Sequence, residues 1–201
     1  LSIESMVTSN RFRSGELTDD DWKKIGPAAG KITNCDILID DSTGINVTNM
    51  RAKLRREQNK KKEIGLVVID YLQLMQSEKR IDNRVQEISE ITRNLKIMAK
   101  ELKVPVIACA QLSRGTEAKG KSHKPALSDL RDSGSIEQDA DIVLFLYRDA
   151  YYDSEKADDE DLSDQTKSEC IVAKNRHGEI GTIPLHWDGQ FTRFTSVDVF
   201  R

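Results

Sequence analysis

The sequence is short of several residue types, and each shortage excludes a class of protein. Its three cysteines, Cys35, Cys109 and Cys170, lie far apart with no CxxC spacing. That rules out a disulfide-stapled framework and predicts buried, reduced thiols in a cytoplasmic protein. His123, His177 and His186 are equally scattered, so no zinc site is expected. Four prolines and eleven glycines in 201 residues are too few for a collagen repeat or a long low-complexity linker. Apolar runs such as Leu66–Ile69 and Ile142–Leu146 are far shorter than the roughly 20 residues that cross a bilayer, so no membrane association is expected. No basic-plus-apolar leader opens the chain. Neither sign of charge dominates: 31 Lys and Arg face 34 Asp and Glu, for a net charge of −3. A simple polycation is excluded, and any nucleic-acid site must be a local patch.

What remains suits one globular domain, or a large piece of one, with 37% hydrophobic and 32% charged residues. Leu1 in place of Met implies either processing or a piece of a longer protein. Thr18 followed by Asp21 predicts a capping box at a helix start, with Gly26 and Pro27 interrupting that helix early. Ile37-Leu38-Ile39-Asp40 reads as a short strand and Asp41-Ser42-Thr43-Gly44 as a turn. Val47, Met50 and Leu54 fall at helical spacing. Leu66-Val67-Val68-Ile69-Asp70 is the strongest strand signal, β-branched and uninterrupted, as for a parallel strand buried on both faces. Val85, Ile88, Ile91, Leu95, Met98 and Leu102 then form one helical stripe, with Arg84, Glu87, Arg93, Lys96 and Lys100 off it. Pro105 marks the exit, and Val106 to Ala110 reads as another buried strand, completing a βαβ unit. Ile142 to Leu146 reads as a core strand. Glu169 to Ala173, Gly181 to Trp187 and Phe191 to Phe194 read as antiparallel hairpin strands at one edge. Nine acids and two lysines between Asp149 and Glu169, with no apolar period, predict an acidic mobile loop at about 149–168.

Several places bear chemistry. Asp70 ends a buried parallel strand, where open α/β sheets bind ligands. Four apolar residues followed by Asp is the Walker B pattern, whose carboxylate holds Mg²⁺ beside nucleotide phosphates. Many strands also end in Asp at an ordinary turn. Gln111 ends the next strand at the same edge, where an amide can donate to a phosphate oxygen and orient a water. The stretch Arg131-Asp132-Ser133-Gly134-Ser135 reads as a loop entering a short helix. Its amides and Arg131 suit an anion such as a nucleic-acid phosphate; a capped helix with Arg131 paired to Asp129 or Asp132 accounts for the same residues. Lys174-Asn175-Arg176-His177-Gly178 puts two cations at a rim, either supplied to phosphates, on a neighbouring subunit for example, or forming a basic hairpin turn. The basic run Arg51, Lys53, Arg55, Arg56, Lys60, Lys61 and Lys62 contains one acid, Glu57. It reads either as a contact for DNA or an acidic partner, or as the solvated face of a helix whose apolar side is Met50 and Leu54.

Together these segments resemble the replicative hexameric DNA helicases of DnaB type and their RecA-like motor domain. The resemblance runs through Arg13 to Trp22, Val68-Ile69-Asp70-Tyr71-Leu72-Gln73-Leu74-Met75, Ala110-Gln111-Leu112-Ser113-Arg114, Leu127 to Asp141, Lys174 to Gly178, and Phe191-Thr192-Arg193-Phe194. It implies an α/β fold: a mainly parallel, twisted RecA-like sheet flanked by helices, with antiparallel strands at the C-terminal edge. Residues 1–201 would be a single partial domain. The resemblance implies ATP and Mg²⁺ as cofactors, with Asp70 positioning the metal and Gln111 sensing the γ-phosphate. Arg176, helped by Lys174, would act as an arginine finger in the neighbouring subunit. Arg131, Asp132, Ser133 and Gly134 would grip single-stranded DNA, and Phe191 would stack on adenine. The implied partners are single-stranded DNA, further copies in a homohexamer, a primase and a helicase loader.

One departure stands out: GxxxxGK[ST] occurs nowhere in the sequence. In the family this phosphate cradle and the catalytic Glu lie upstream of the stretch matched here. The expectation is therefore a motor domain truncated on its N-terminal side, with no ATPase of its own. The other reading is a non-catalytic module that binds DNA or a helicase. Strand-exchange-type and clock-type RecA-like ATPases are a third option, against which Asp70 to Met75 and Arg131 to Ser135 argue.

Overall fold

The computed structural model describes residues 1–60, 63–78, 80–112, 124–148 and 166–197, without the side chains of 131–135. The chain sorts into two compact units. One comprises Leu1–Asp40, Phe145–Ile171 and Gly181–Arg201; the other comprises Asp41–Leu144 and Val172–Ile180.

The first unit opens with helices α1 (Ser2–Ser5), α2 (Ser9–Ser14) and α3 (Asp19–Thr33). The capping box is present: Thr18 accepts from the Asp21 amide at 3.3 Å and Asp21 accepts from the Thr18 amide at 3.0 Å. One guanidinium nitrogen of Arg11 also bridges both Asp21 oxygens, at 2.9 and 2.7 Å. Contrary to expectation, α3 runs straight past Gly26 and Pro27. Proline removes a helix hydrogen bond, but Ile25 and Ala28 are buried on either side of it and hold the helix by packing. The strand expected over Ile37–Asp40 does not form, and Ile37, Leu38 and Ile39 are exposed. β-Propensity makes a strand only where another strand takes up its backbone groups.

The second unit carries the parallel pair. Helix α4 (Val47–Asn59) leads to strand β1 (Val67–Ile69) and a 3₁₀ turn (Leu72–Leu74). Helix α5 (Arg84–Leu102), capped by Asn83, then crosses over to β2 (Val106–Ala108). The two strands are parallel, with Val67 opposite Val106 and Ile69 opposite Ala108. This is the expected βαβ unit. The α5 stripe supplies the core: Ile88, Ile91, Leu95 and Met98 are buried with Val47, Ile69, Leu72 and Met75, and Met50 and Leu54 pack against them. Val85, the first residue of the stripe, stays exposed.

Burial of β1 and β2 on both faces is not observed. Ile69 is 7% exposed, whereas Leu66, Val68 and Ile107 are 48%, 59% and 52% exposed. Successive side chains of a strand point to opposite faces, and α5 with its neighbours covers only one. Cys35 and Cys109 are exposed and Cys170 is half-buried, so the buried-thiol expectation fails with it.

A second 3₁₀ segment (Leu127–Ser133) runs into α6 (Gly134–Asp139). A four-stranded sheet follows in the order β3 (Ile142–Tyr147), β4 (Lys167–Asn175), β5 (Gly181–Asp188), β6 (Arg193–Ser196). β3 alternates exposed and buried side chains, so it has one core face. β5 and β6 pair antiparallel, with Trp187 opposite Phe194. The last strand starts two residues later than expected, because Phe191 and Thr192 form the turn and Thr192 has φ 52°. The acidic stretch lies outside the described residues up to 165, and β4 claims Lys167 onward.

Candidate functional site

Asp70 and Gln111 leave the same C-terminal edge of the parallel pair. Asp70 directly follows β1, is exposed, and engages no described residue. Gln111 lies three residues beyond β2. Its place is fixed by Gln73, whose amide nitrogen donates to the Gln111 carbonyl at 3.0 Å and whose amide oxygen accepts from the Gln111 N–H at 3.2 Å. Main-chain bonds extend the ladder beyond the strands: Cys109 N–H donates to Ile69 at 2.9 Å and Leu72 N–H to Cys109 at 2.8 Å. Gln73 is itself held by Arg84, which donates to its carbonyl at 2.7 Å. Glu87 orients Arg84 at 2.5 Å, and this contact holds the Glu87 carboxyl below its ordinary pKa. A carboxylate that engages no described residue, at the edge from which Gln111 also leaves, fits Mg²⁺, which prefers oxygen and keeps most of its waters.

Lys174 and Arg176 meet a different set of groups. Lys174 is in β4 and Arg176 in the turn after it. The Lys174 ammonium donates to the carbonyls of Glu137 and Ala140 at 2.5 and 2.8 Å, at the C-terminal end of α6. Such a cation satisfies carbonyls that the helix leaves open. The Arg176 guanidinium reaches Asp141 at 3.3 Å, and its backbone N–H donates to the Asp141 carbonyl at 2.9 Å. The other Asp141 oxygen is held by Lys96 of α5. That Lys96 contact pulls the Asp141 carboxyl below its ordinary pKa; burial opposes the shift and Arg176 reinforces it. Thr92 of α5 donates to Asp139 at 2.7 Å, which ties α6 down again. In the turn, Asn175 accepts from the His177 amide at 3.3 Å and donates to Glu179 at 3.3 Å. A Cβ on Gly178 would come within 2.6 Å of Asn175 Nδ2, so a larger residue there would have to displace the Asn175 amide that bridges this turn.

Arg131, Asp132 and Ser133 end the 3₁₀ segment and Gly134 begins α6. Their side chains lie outside the described part of the structure, as do Ser113 and Arg114 of the Gln111 motif. Phe191 belongs to the other unit. It is half-buried in the β5–β6 turn, with the Arg193 guanidinium 5.9 Å from its ring centre. Trp187 nearby packs on Phe194 at 4.7 Å and beneath Arg148 at 4.3 Å. Part of the basic run along α4 is paired: Arg51 and Arg55 both pair with Glu101 of α5, and Lys60 with Glu57. Sequence reasoning assigns no role to Gln73, Lys96 or Asp141. Gln73 and Asp141 sit inside the motif stretches, which is the available signal; Lys96 has none beyond being a cation off the apolar stripe.

Residues 1–196 match the family model described as the DnaB-like helicase C-terminal domain. The replicative DNA helicase DnaC of Bacillus subtilis is 46% identical over 98% of this chain, and the replicative DNA helicase DnaB of Geobacillus stearothermophilus is 45% identical over 98%. The chain spans 42% of the length of each of these curated relatives. Among solved structures, a DnaB-like replicative helicase, studied with its interactions with primase, superposes with a TM-score of 0.86 at 38% identity, over 97% of this chain and 47% of that one. A second solved structure, of an ATPase domain, gives the same score and identity over 97% of this chain and 67% of that one. Fold, motif order and the extent of the match agree: this chain belongs to the DnaB-like helicase C-terminal domain family.

Proposed function

We propose that the chain is part of a single RecA-like motor domain. In the full-length protein that domain couples ATP hydrolysis to translocation along single-stranded DNA and to duplex unwinding. The observation that carries this reading is the shared edge of the parallel pair, where Asp70 engages no described residue and Gln73 fixes the Gln111 main chain. Ligands of open α/β sheets bind at this end of the strands.

Asp70 would hold the divalent cation, and Gln111 would donate to a γ-phosphate oxygen. When bound, Mg²⁺ neutralises charge on the phosphates. Arg176, flanked by Lys174, reaches the ATP of the neighbouring subunit in a homohexameric ring. Arg131, Asp132, Ser133 and Gly134 hold a phosphate of the DNA strand, and Phe191 stacks on the adenine. The protein works in the cytoplasm, with a primase and a helicase loader as partners. Residues 1–201 alone turn over no ATP, since they contain no GxxxxGK[ST] cradle.

The test is phosphate release with Mg²⁺, with and without single-stranded DNA, from the full-length protein and from residues 1–201. Asp70→Asn should abolish turnover in the full-length protein. Arg131→Ala should weaken DNA binding alike for all sequences and lower the salt dependence by about one counterion. Full-length protein that binds DNA but never hydrolyses ATP would establish the non-catalytic reading instead. Turnover by residues 1–201 that Asp70→Asn abolishes would refute the missing-cradle argument.

A further inference from the structure

We propose that Asp141 is the positioning residue for Arg176, tying the finger to the end of the DNA-facing segment. The proposal rests on the readings of Arg176 as a finger and of Arg131–Gly134 as the DNA grip. Asp141 grips Arg176 twice, through its carbonyl on the backbone N–H at 2.9 Å and through Oδ1 on the guanidinium at 3.3 Å. The two contacts fix both where the turn residue starts and which way its side chain leaves. Asp141 is in turn anchored, because its second oxygen is held by Lys96 of α5, whose own side chain is mostly buried.

The geometry leaves the guanidinium able to work. Asp141 takes one hydrogen bond from it, and the Arg176 side chain remains 60% exposed. An arginine held by one corner keeps its remaining donors for a second anion. A bidentate carboxylate clamp would have consumed them.

Asp141 also lies two residues beyond the end of α6, the helix that begins at Gly134. Lys174 fastens the same helix end through the carbonyls of Glu137 and Ala140. Any shift of the Arg131–Gly134 segment that α6 transmits therefore reaches Arg176 through Asp141 and Lys174 together. This is a short, contiguous link between the DNA-gripping segment and the residue that serves the neighbour's nucleotide.

The experiment uses the full-length ring with single-stranded DNA. Asp141→Asn keeps the shape and the backbone bond but removes the charge. We expect DNA-stimulated kcat to fall about tenfold, as for a catalytic group left slightly misplaced, with KM for ATP and DNA affinity unchanged. Asp141→Glu should recover part of the loss. In an Arg176→Ala background, adding Asp141→Asn should change the residual rate less than about twofold, because the two residues act as one unit. Hydrogen exchange over residues 174–178 should be faster in Asp141→Asn, and this readout does not depend on catalysis. Unchanged exchange, or an equal loss of kcat with and without Arg176, overturns the proposal. Faster exchange together with full activity of Arg176→Ala rejects the finger reading, and with it any catalytic role for Asp141.

Discussion

The two places where candidate site residues gather in the second unit are built on opposite principles. At the β1–β2 edge the fixing contacts are mostly neutral: a side-chain amide on a backbone amide, and main-chain bonds prolonging a parallel ladder. At the α6–β4 corner they are charged: Lys96, Asp141 and Arg176 in a row, with the Lys174 ammonium on helix-end carbonyls. The neutral edge leaves its carboxylate, Asp70, engaging no described residue, which suits the proposed cation ligand. The charged corner pins the Lys174 ammonium on helix-end carbonyls and holds Arg176 by its backbone N–H and one guanidinium nitrogen, leaving the rest of that exposed guanidinium to solvent. On the proposed reading, the first site waits for a ligand to enter and the second reaches outward.

The harshest way to break this comparison is Arg176→Ala in the full-length ring. If the corner exists to reach outward, ATPase should fall by a factor of about 10³ or more with the fold intact, read by phosphate release and circular dichroism. The defect should also be curable by mixing. Arg176→Ala subunits retain their own Asp70, and Asp70→Asn subunits retain Arg176. Each is inactive alone, yet turnover should return where an Arg176→Ala site meets an Asp70→Asn neighbour. Mixed rings that form but stay inactive would place Arg176 within its own subunit's machinery.

Gln73→Leu breaks the other side. It deletes both hydrogen bonds on the Gln111 main chain and leaves that carbonyl and N–H to water. Each such bond is worth about 1 kcal/mol net, and the looser Gln111 should lower DNA-stimulated kcat about tenfold. Because no charge is lost, the effect should be the same at low and high salt. A loss that grows or shrinks with salt would mean the edge is not held by neutral contacts.

How much of this could be read in advance follows the range of the interaction. Helical periodicity is local, so the α5 stripe delivered Ile88, Ile91, Leu95 and Met98 to the core as predicted, and the Thr18–Asp21 cap formed. Residues at strand ends, Asp70 and Gln111, were legible because a strand's direction decides what leaves its edge. Failures came where a neighbour decides the outcome. Leu66, Val68 and Ile107 look like two-faced core but are covered on one side only. Ile37 to Ile39 have strand propensity without a strand to pair with. Pro27 breaks helices in isolation, yet tertiary packing carries α3 through it. Asp141 and Lys96 are 45 positions apart, and nothing in a one-dimensional pattern couples them.

The smallest effect, and the sharpest discriminator, is pH. Asp141 is held below the ordinary carboxylate pKa first by Lys96, with Arg176 adding to the shift. A folded value depressed below the unfolded one means that the stabilisation is complete above the ordinary Asp pKa of about 3.9 and is lost as pH falls through the depressed folded value. The Gln73–Gln111 contacts themselves contain no titrating group; the nearest such carboxylate in this chain of contacts, Glu87, acts only through Arg84 on the Gln73 carbonyl. Hydrogen exchange, corrected for its intrinsic pH dependence, should therefore show residues 174–178 losing protection as pH is lowered toward and below that range. The segment 109–111 should lag behind. The differential should be modest, a severalfold change in exchange at most, because Asp141 is 47% exposed and solvent already screens the pair. It should disappear in Asp141→Asn, whose side chain does not ionise. If both segments open together in the wild type, the corner is held by its backbone and Lys174 contacts rather than by the carboxylate, and the distinction between a charged and a neutral site collapses.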